Sequence, residues 1–241
     1  MPTAGLQTFG TPHLIVMALT VAVPALLSGV ARRARSKAAG KKIGYCVAGG
    51  LLINEVTHWG YRITEFGLDQ FVQDHLPLHA CGVAVLATAA TLFSKNQRTY
   101  EIAYFWGLAG ATNAVVTPNG IELAFPGYRF FQYFLAHSGI VVGVLFATWG
   151  LRMRPTLGGL FRAFASLNLY AIAIAGINVL LGTNYLYLSQ PPAGTITPFF
   201  FAPWPWYILT SEVIGLAMFF VVYSPFAVAR LASNRRREHR G

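Results

Sequence analysis

The chain has 241 residues, of which 55% are hydrophobic and only 11% are charged. An ordinary soluble domain carries about 25% charged residues. The chain has 18 basic and eight acidic side chains, too few to cover the surface of a water-soluble globule of this size, so the composition excludes that class of protein. A net charge of +10 would suggest nucleic acid in a soluble protein. Here the basic residues follow a membrane-orientation pattern instead, and no nucleic-acid partner is predicted.

Seven segments are apolar and long enough to cross a bilayer, which takes about 20 helical residues. Pro77 is predicted in the first turn of the third span, where its missing N–H costs nothing, and Pro118 closes the fourth. The sequence therefore predicts an all-α integral membrane protein in which residues 1–241 form one bundle. The predicted spans are 11–31, 43–62, 76–94, 100–117, 128–151, 159–182 and 205–230.

The basic residues lie almost entirely on one side of this bundle. Of the 18 lysines and arginines, 16 fall in connections that the seven spans place together, and only Arg62 and Arg129 fall on the other side. Because basic loops stay in the cytoplasm, the N-terminus is predicted outside and the C-terminus in the cytoplasm, with several passes through the plasma membrane. Cys46 and Cys81 then lie on opposite membrane sides, which excludes a disulfide between them.

Polar side chains inside the predicted spans share one depth. An ionisable group near the middle of a span costs about 2.5–3.5 kcal/mol on insertion scales, so each indicates a functional site. At 1.5 Å per residue these groups all fall in the outer half, and the inner half has only Glu101, beside Lys95 and Arg98. We expect them to surround one outward-facing cavity, covered by the loop 183–204 as a lid. They are Glu55, His58, His79, Cys81, Asn113, His137, Asn178 and Glu212.

Helix geometry limits which of these groups can act together. Glu55 and His58 are three residues apart and share a helix face, whereas His79 and Cys81 are two apart, about 200° around a regular helix. The base for a Cys81 nucleophile must then come from another helix, as His137 or His58. Structural roles stay open for each: packing for Cys81, a helix–helix hydrogen bond for His137 and an ion pair for Glu55.

Several short segments carry a resemblance to a known family. They are LPLHAC at 76–81, EIAYFWGLAG at 101–110, GTNY at 182–185 and PWPWY at 203–207. With these segments the chain resembles the YwaF-like family of bacterial integral membrane proteins over about residues 55–225 and, more distantly, eukaryotic transmembrane protein 164, described as an acyltransferase that moves fatty acyl groups onto lysophospholipids. The resemblance implies that Cys81 is the acyl-accepting thiol and His137 its base.

The leading functional hypothesis is a lipid-remodelling enzyme without a cofactor. A Cys81 thiolate would attack an acyl ester, His137 would carry the proton, and the partners would be a lysophospholipid and an acyl donor of the membrane. His79, Asn113, Asn178 or Asn184 would donate hydrogen bonds to the oxyanion or the headgroup.

Two other classes of function stay open. An intramembrane metal hydrolase would hold Zn²⁺ with His58, His79 and His137 plus Glu55 or Glu212, although the sequence has no tight ligand spacing such as HExxH. A non-enzymatic protein would be a proton-coupled transporter or an accessory subunit of a membrane complex. A transporter needs polar groups in both halves of its pathway, which the bare inner half does not supply. The sequence identifies no protein partner.

Overall fold

A computed structural model describes residues 6–34, 36–118, 124–192 and 200–238. Over these residues the chain is helical and contains no strand, so the all-α prediction is confirmed. The segment 193–199 of the predicted lid and Arg240 of the basic tail lie outside them. The helices are α1 (Thr11–Arg33), α2 (Lys37–Asp74), α3 (Ala80–Ser94), α4 (Gln97–Ile102), a π-helical segment (Ala103–Gly107), α5 (Leu108–Val116), α6 (Tyr128–Trp149), α7 (Leu157–Leu181), a 3-10 turn (Tyr185–Tyr187) and α8 (Trp206–Glu238).

Four of the described helices are long and apolar enough to cross a membrane, which marks the chain as a membrane protein. These are Thr11–Arg33, Tyr128–Trp149, Leu157–Leu181 and Trp206–Ser233, matching the first, fifth, sixth and seventh predicted spans. The other three predicted spans fall on α2, on α3 with its 15 residues, and on the run from α4 to α5 that the π segment divides. The number of seven spans and their direction stay predictions.

Polar side chains and one glycine decide where the helices begin and break. The Asn96 carboxamide accepts hydrogen bonds from N–H groups of the first turn of α4, and the Thr156 hydroxyl accepts one, at 2.8 Å, in the first turn of α7. Within α2, Gly67 has φ +83°, a conformation that only glycine adopts without strain. Helix resumes beyond this break up to Asp74, so most of the connection between the predicted spans 43–62 and 76–94 is helical.

The run from α4 to α5 forms the centre of the bundle. The π segment is buried throughout, and its aromatic side chains use their polar tips to hold the surrounding helices. The Tyr104 hydroxyl donates to a carbonyl of α8 at 2.7 Å, and the Trp106 indole donates to a carbonyl of α7 at 2.9 Å. One turn earlier, the Tyr100 hydroxyl lies 2.9 Å from that of Thr148 on α6.

Glu101 is a buried structural carboxylate. Its side chain is 2% exposed and accepts hydrogen bonds from Gln97 at 3.0 Å, Thr156 at 2.8 Å and Arg162 at 2.7 Å. Its charged partner is therefore on α7, whereas the sequence placed it at the membrane rim beside its basic neighbours in the chain. This network joins α4 to α7 at the end of the bundle opposite the candidate site.

His13 fastens the start of α1 to the end of α5, a role that was not predicted. The ring is buried; its Nδ1 accepts from the Phe9 N–H at 2.9 Å, and Nε2 lies 2.7 Å from the carbonyl oxygen of Val115. Since Nδ1 is the acceptor, Nε2 carries the proton and donates to that carbonyl.

Candidate functional site

A polar cavity of about 370 Å³ lies between α2, α3 and α6, beneath the connection from α7 to α8. Five of the eight residues that were predicted to share a cavity line it: Glu55, His58, His79, Cys81 and His137. The prediction of a common site is therefore right for these five. The cavity is also lined by charged, polar and aromatic residues that the sequence analysis did not select: Asp74, His75, Arg129, Gln132, Tyr133 and Tyr187.

Cys81 lies at the very start of α3. The sequence placed this helix start at residue 76, but the structure begins α3 at Ala80, with His79 extended at φ −72° and ψ 151°. The chain folds back here, since a Cβ on Gly82 would lie 2.9 Å from the α-carbon of Pro77. Pro77 is therefore outside the helix and Cys81 is in its first turn. There the backbone N–H groups lack intrahelical acceptors and the helix dipole favours negative charge.

The thiol stands at the boundary between the polar cavity and a second, mostly apolar cavity. The second cavity, of about 340 Å³, lies among α5, α7 and α8 and includes Gly110, Asn113 and Glu212 in its wall. A Cβ on Gly110 would lie 3.7 Å from the Cys81 sulfur, so the thiol packs against a residue of that wall. Tyr187 lines both cavities. Asn113 and Glu212 thus face the neighbouring cavity, not the predicted common one.

His137 is held in one tautomer. Its Nδ1 lies 2.8 Å from the backbone carbonyl of Tyr133, and its ring packs on the Tyr133 ring at 4.2 Å between centroids. A carbonyl only accepts, so Nδ1 carries the proton and the Nε2 lone pair is left for use as a base. Within the described residues, no hydrogen bond joins the Cys81 sulfur to His137 or His58, the two predicted bases. His137 is instead bound to its own helix on another wall of the cavity.

His58 is held in the opposite tautomer. Its Nδ1 lies 3.3 Å from a guanidinium nitrogen of Arg129, which also donates to the Gln132 carboxamide oxygen at 2.7 Å. A guanidinium only donates, so Nδ1 of His58 is the acceptor and its proton is on Nε2. In this state His58 offers the cavity a donor and cannot accept a proton at Nε2.

Glu55 and Arg62 lie on the α2 wall of the cavity and are both buried. Glu55 accepts a hydrogen bond from the Trp59 indole, one turn along the helix, at 3.0 Å. The Arg62 guanidinium lies 5.2 Å from the centre of the Phe66 ring, within the range of a cation–π contact. Glu55 and Arg62, two turns apart, therefore line the cavity from one face of α2, and His58 lies between them on that face.

Within the described part of the predicted lid, residues 183–192 and 200–204, the turn Tyr185–Tyr187 packs over the polar cavity, whereas Phe201 and Trp204 are exposed. His79 packs against the rings of Tyr185 and Tyr187, at 5.3 and 5.0 Å between centroids, and its Nδ1 accepts from the Leu186 N–H at 3.4 Å. Tyr207 of α8 donates a hydrogen bond to the Tyr187 carbonyl. Burial raises the pKa of the Tyr187 hydroxyl, which stays protonated and uncharged at neutral pH.

The remaining predicted polar residues hold other parts of the structure. Asn178 donates to the Tyr185 carbonyl at 2.9 Å, and its carboxamide oxygen accepts from Tyr185 N–H and Thr183, both at 2.8 Å. The Asn184 side chain bonds backbone atoms of Ser189 and Gln190 in the lid itself, at 2.8 to 3.2 Å. Their amide groups therefore anchor and shape the lid. Glu212 accepts from Asn168 of α7 at 2.9 Å.

The alternative metal site lacks a ligand set. Among the residues that the structure describes, no group of three or more His, Cys, Asp or Glu side chains is arranged to hold a metal ion. The three histidines of that hypothesis do line one cavity, but His58 is bound to the cationic Arg129 and His79 to the lid.

Comparison with known proteins supplies a family. The model described as the TMEM164 family matches residues 8–223. An uncharacterised protein of Treponema pallidum (strain Nichols) is 27% identical over 166 residues, which is 68% of this chain and 67% of that protein. No solved structure matches.

Proposed function

The chain belongs to the TMEM164 family, and from this membership and the geometry of the site we propose that it is a phospholipid acyltransferase embedded in the membrane. The predicted resemblance to transmembrane protein 164 agrees with this family and implies the same activity. The Cys81 thiolate attacks the carbonyl carbon of an acyl ester, the ester C–O bond breaks, and the leaving alkoxide takes a proton. The hydroxyl of a lysophospholipid then attacks the thioester, loses its proton and releases the thiolate.

One observation carries the proposal: the thiol lies where a polar cavity meets an apolar one. A phospholipid has the same division, because its ester carbonyls join a charged headgroup to apolar chains. A lipid with its headgroup among the arginines and histidines of the first cavity and an acyl chain in the second brings that ester to Cys81. Neither cavity alone explains why a thiol stands at their boundary.

His137 is the proton carrier in this scheme. Its Nε2 lone pair opens to the cavity because Nδ1 is occupied by the Tyr133 carbonyl. Proton transfer by such a group contributes about 10²–10⁴-fold to a rate. The gap between this nitrogen and the sulfur is closed by the substrate or a water molecule, since catalytic hydrogen bonds often tighten only in the complex.

The start of α3 stabilises the negative charges of the reaction. Backbone N–H groups in its first turn have no intrahelical acceptor and lie beside the Cys81 side chain. They favour the thiolate and donate to the oxyanion that forms when the ester carbonyl is attacked. These donors replace Asn178 and Asn184, whose amides serve the lid.

The test is to trap the acyl group on the protein. Purified protein is incubated with a phospholipid labelled in its acyl chain, and a hydroxylamine-sensitive adduct is sought on peptides by mass spectrometry. The adduct is expected on Cys81. It should vanish in Cys81→Ala, fall about 10²-fold or more in His137→Ala, and persist in Cys46→Ser, which changes the other, exposed cysteine. Full acyl transfer by Cys81→Ala would end the thiol mechanism.

We extend the proposal to the orientation of the chain: seven spans in the plasma membrane, with the N-terminus outside and the C-terminus in the cytoplasm. The asymmetry of basic residues supports it. A single cysteine at position 190, in a variant without the native cysteines, should react with an impermeant thiol reagent on intact cells, and one at position 33 or 236 should not. Labelling at 236 from outside contradicts the proposed orientation.

A further inference from the structure

We propose that Arg62 and Arg129 form a binding site for the phosphate of a glycerophospholipid. This inference rests on the proposed function and deepens it by naming the part of the lipid that the polar cavity recognises. Both arginines line that cavity, Arg62 from α2 and Arg129 from α6. Their guanidinium groups offer planar, two-pronged donors that fit phosphate oxygens.

The position of these two arginines has no explanation in membrane orientation. They are the two basic residues, of 18, on the side that the sequence assigns to the outside. Basic residues there oppose the orientation that the other 16 favour, and a buried arginine within a span is costly. Both are nevertheless placed in the wall of the same cavity as Cys81, where an anionic group of a ligand would meet them together.

The depth of the arginines fits a lipid whose ester reaches the thiol. At 1.5 Å per residue, Arg62 lies about 10 Å above Glu55 along α2, and Arg129 lies about 12 Å above His137 along α6. Glu55 and His137 therefore lie deeper than the two arginines, and Cys81 lines the same cavity. The phosphate therefore binds nearer the mouth, and the glycerol spans the distance to the reacting ester.

Neighbouring groups are compatible with an anion near the mouth. Gln132 and His58 both accept hydrogen bonds from Arg129 and so orient its guanidinium plane. Of the two acidic residues in the wall, Asp74 is exposed, where water screens its charge, and Glu55 lies at the deeper level, bonded to Trp59. His58 presents its Nε2–H as a further donor, and His75 and His79 lie in the same wall.

Binding is measured without chemistry, in full-length Cys81→Ala protein held in a phosphate-free maltoside detergent. The probes are palmitoyl lysophosphatidylcholine and 1-palmitoylglycerol, which share the acyl chain and glycerol but differ in the phosphate-bearing headgroup. The lysophospholipid should bind at least about tenfold more tightly. Arg62→Gln and Arg129→Gln should each remove most of that preference and leave palmitoylglycerol binding unchanged. Arg98→Gln, an exposed arginine at the opposite end, is the matched control.

Several results would overturn the inference. They are equal affinity for both lipids, a preference that survives in both arginine variants, or displacement of the lipid by inorganic phosphate at equal concentration, which would indicate a free-anion site. Should Arg62→Gln lose both lipids, Arg62→Lys takes its place; it keeps the charge without the planar fork, so an intermediate preference is required. If the lysophospholipid preference is found but the wild-type protein transfers no acyl group, the proposed function fails and this binding site stands.

Discussion

Replacing Glu101 by glutamine tests the buried network that joins α4 to α7. Glutamine keeps the shape but turns one acceptor oxygen into a donor NH₂, which must then face Gln97 and Thr156 or else Arg162. Losing one hydrogen bond to a charged acceptor costs about 1.5–3 kcal/mol. The Arg162 side chain is 58% exposed, so water screens the ion pair and it adds only about 0–1 kcal/mol.

We therefore expect Glu101→Gln to lower the free energy of unfolding by about 2–3 kcal/mol. The measurement is unfolding of the purified protein in detergent by titration with sodium dodecyl sulfate, followed by tryptophan fluorescence. Glu65→Gln is the matched control, because Glu65 is exposed on α2 and should change stability by less than about 0.5 kcal/mol. Equal midpoints for the two variants would refute the structural role of Glu101. So would a loss of acyl transfer in Glu101→Gln at unchanged stability.

Three further changes test the site and its supports. Gly110→Ala places a methyl group 3.7 Å from the Cys81 sulfur, an ordinary contact distance, so the protein should fold normally but transfer acyl groups more slowly; Gly176→Ala, where nothing lies within 4 Å, should keep full activity. Asn178→Ala removes three hydrogen bonds to the lid, so we expect faster amide hydrogen exchange in the lid. An unchanged exchange rate would show that Asn178 does not anchor the lid. His13→Leu leaves a buried carbonyl and N–H without their partners and should cost about 1–3 kcal/mol in the same unfolding titration; no loss would contradict the fastening role.

The membrane character of the chain could be predicted from hydropathy, because lipid-facing helices must be long and apolar on their own account. The four span-like helices are those that meet this demand. Helix α2 carries charged residues, α3 is short, and the run from α4 to α5 is interrupted by the π segment. Residues of α3 and of the π segment lie buried among other helices, and burial inside a bundle removes the need for a continuous apolar surface. Hydropathy is for that reason a weaker guide to them.

The sequence predicted which residues belong to the candidate site better than it predicted how they are arranged. Depth along the spans brought Glu55, His58 and Cys81 together correctly, because helices in a bundle run nearly parallel and residues at one level meet. The same rule misplaced Asn178, whose partners come from a connection that folds back only in three dimensions. The start of α3 was wrong for a similar reason, since the fold-back around Pro77 is a tertiary contact.

The position of Tyr187 between the two cavities has a consequence for ligand binding. Its side chain belongs to the walls of both cavities, so a ligand that displaces it in one changes the shape of the other. Binding in one cavity is then thermodynamically linked to binding in the other. The linkage is reciprocal: the factor by which a bound acyl chain changes the affinity for the headgroup equals the factor by which a bound headgroup changes the affinity for the chain. Replacing Tyr187 with alanine should bring that coupling factor close to one.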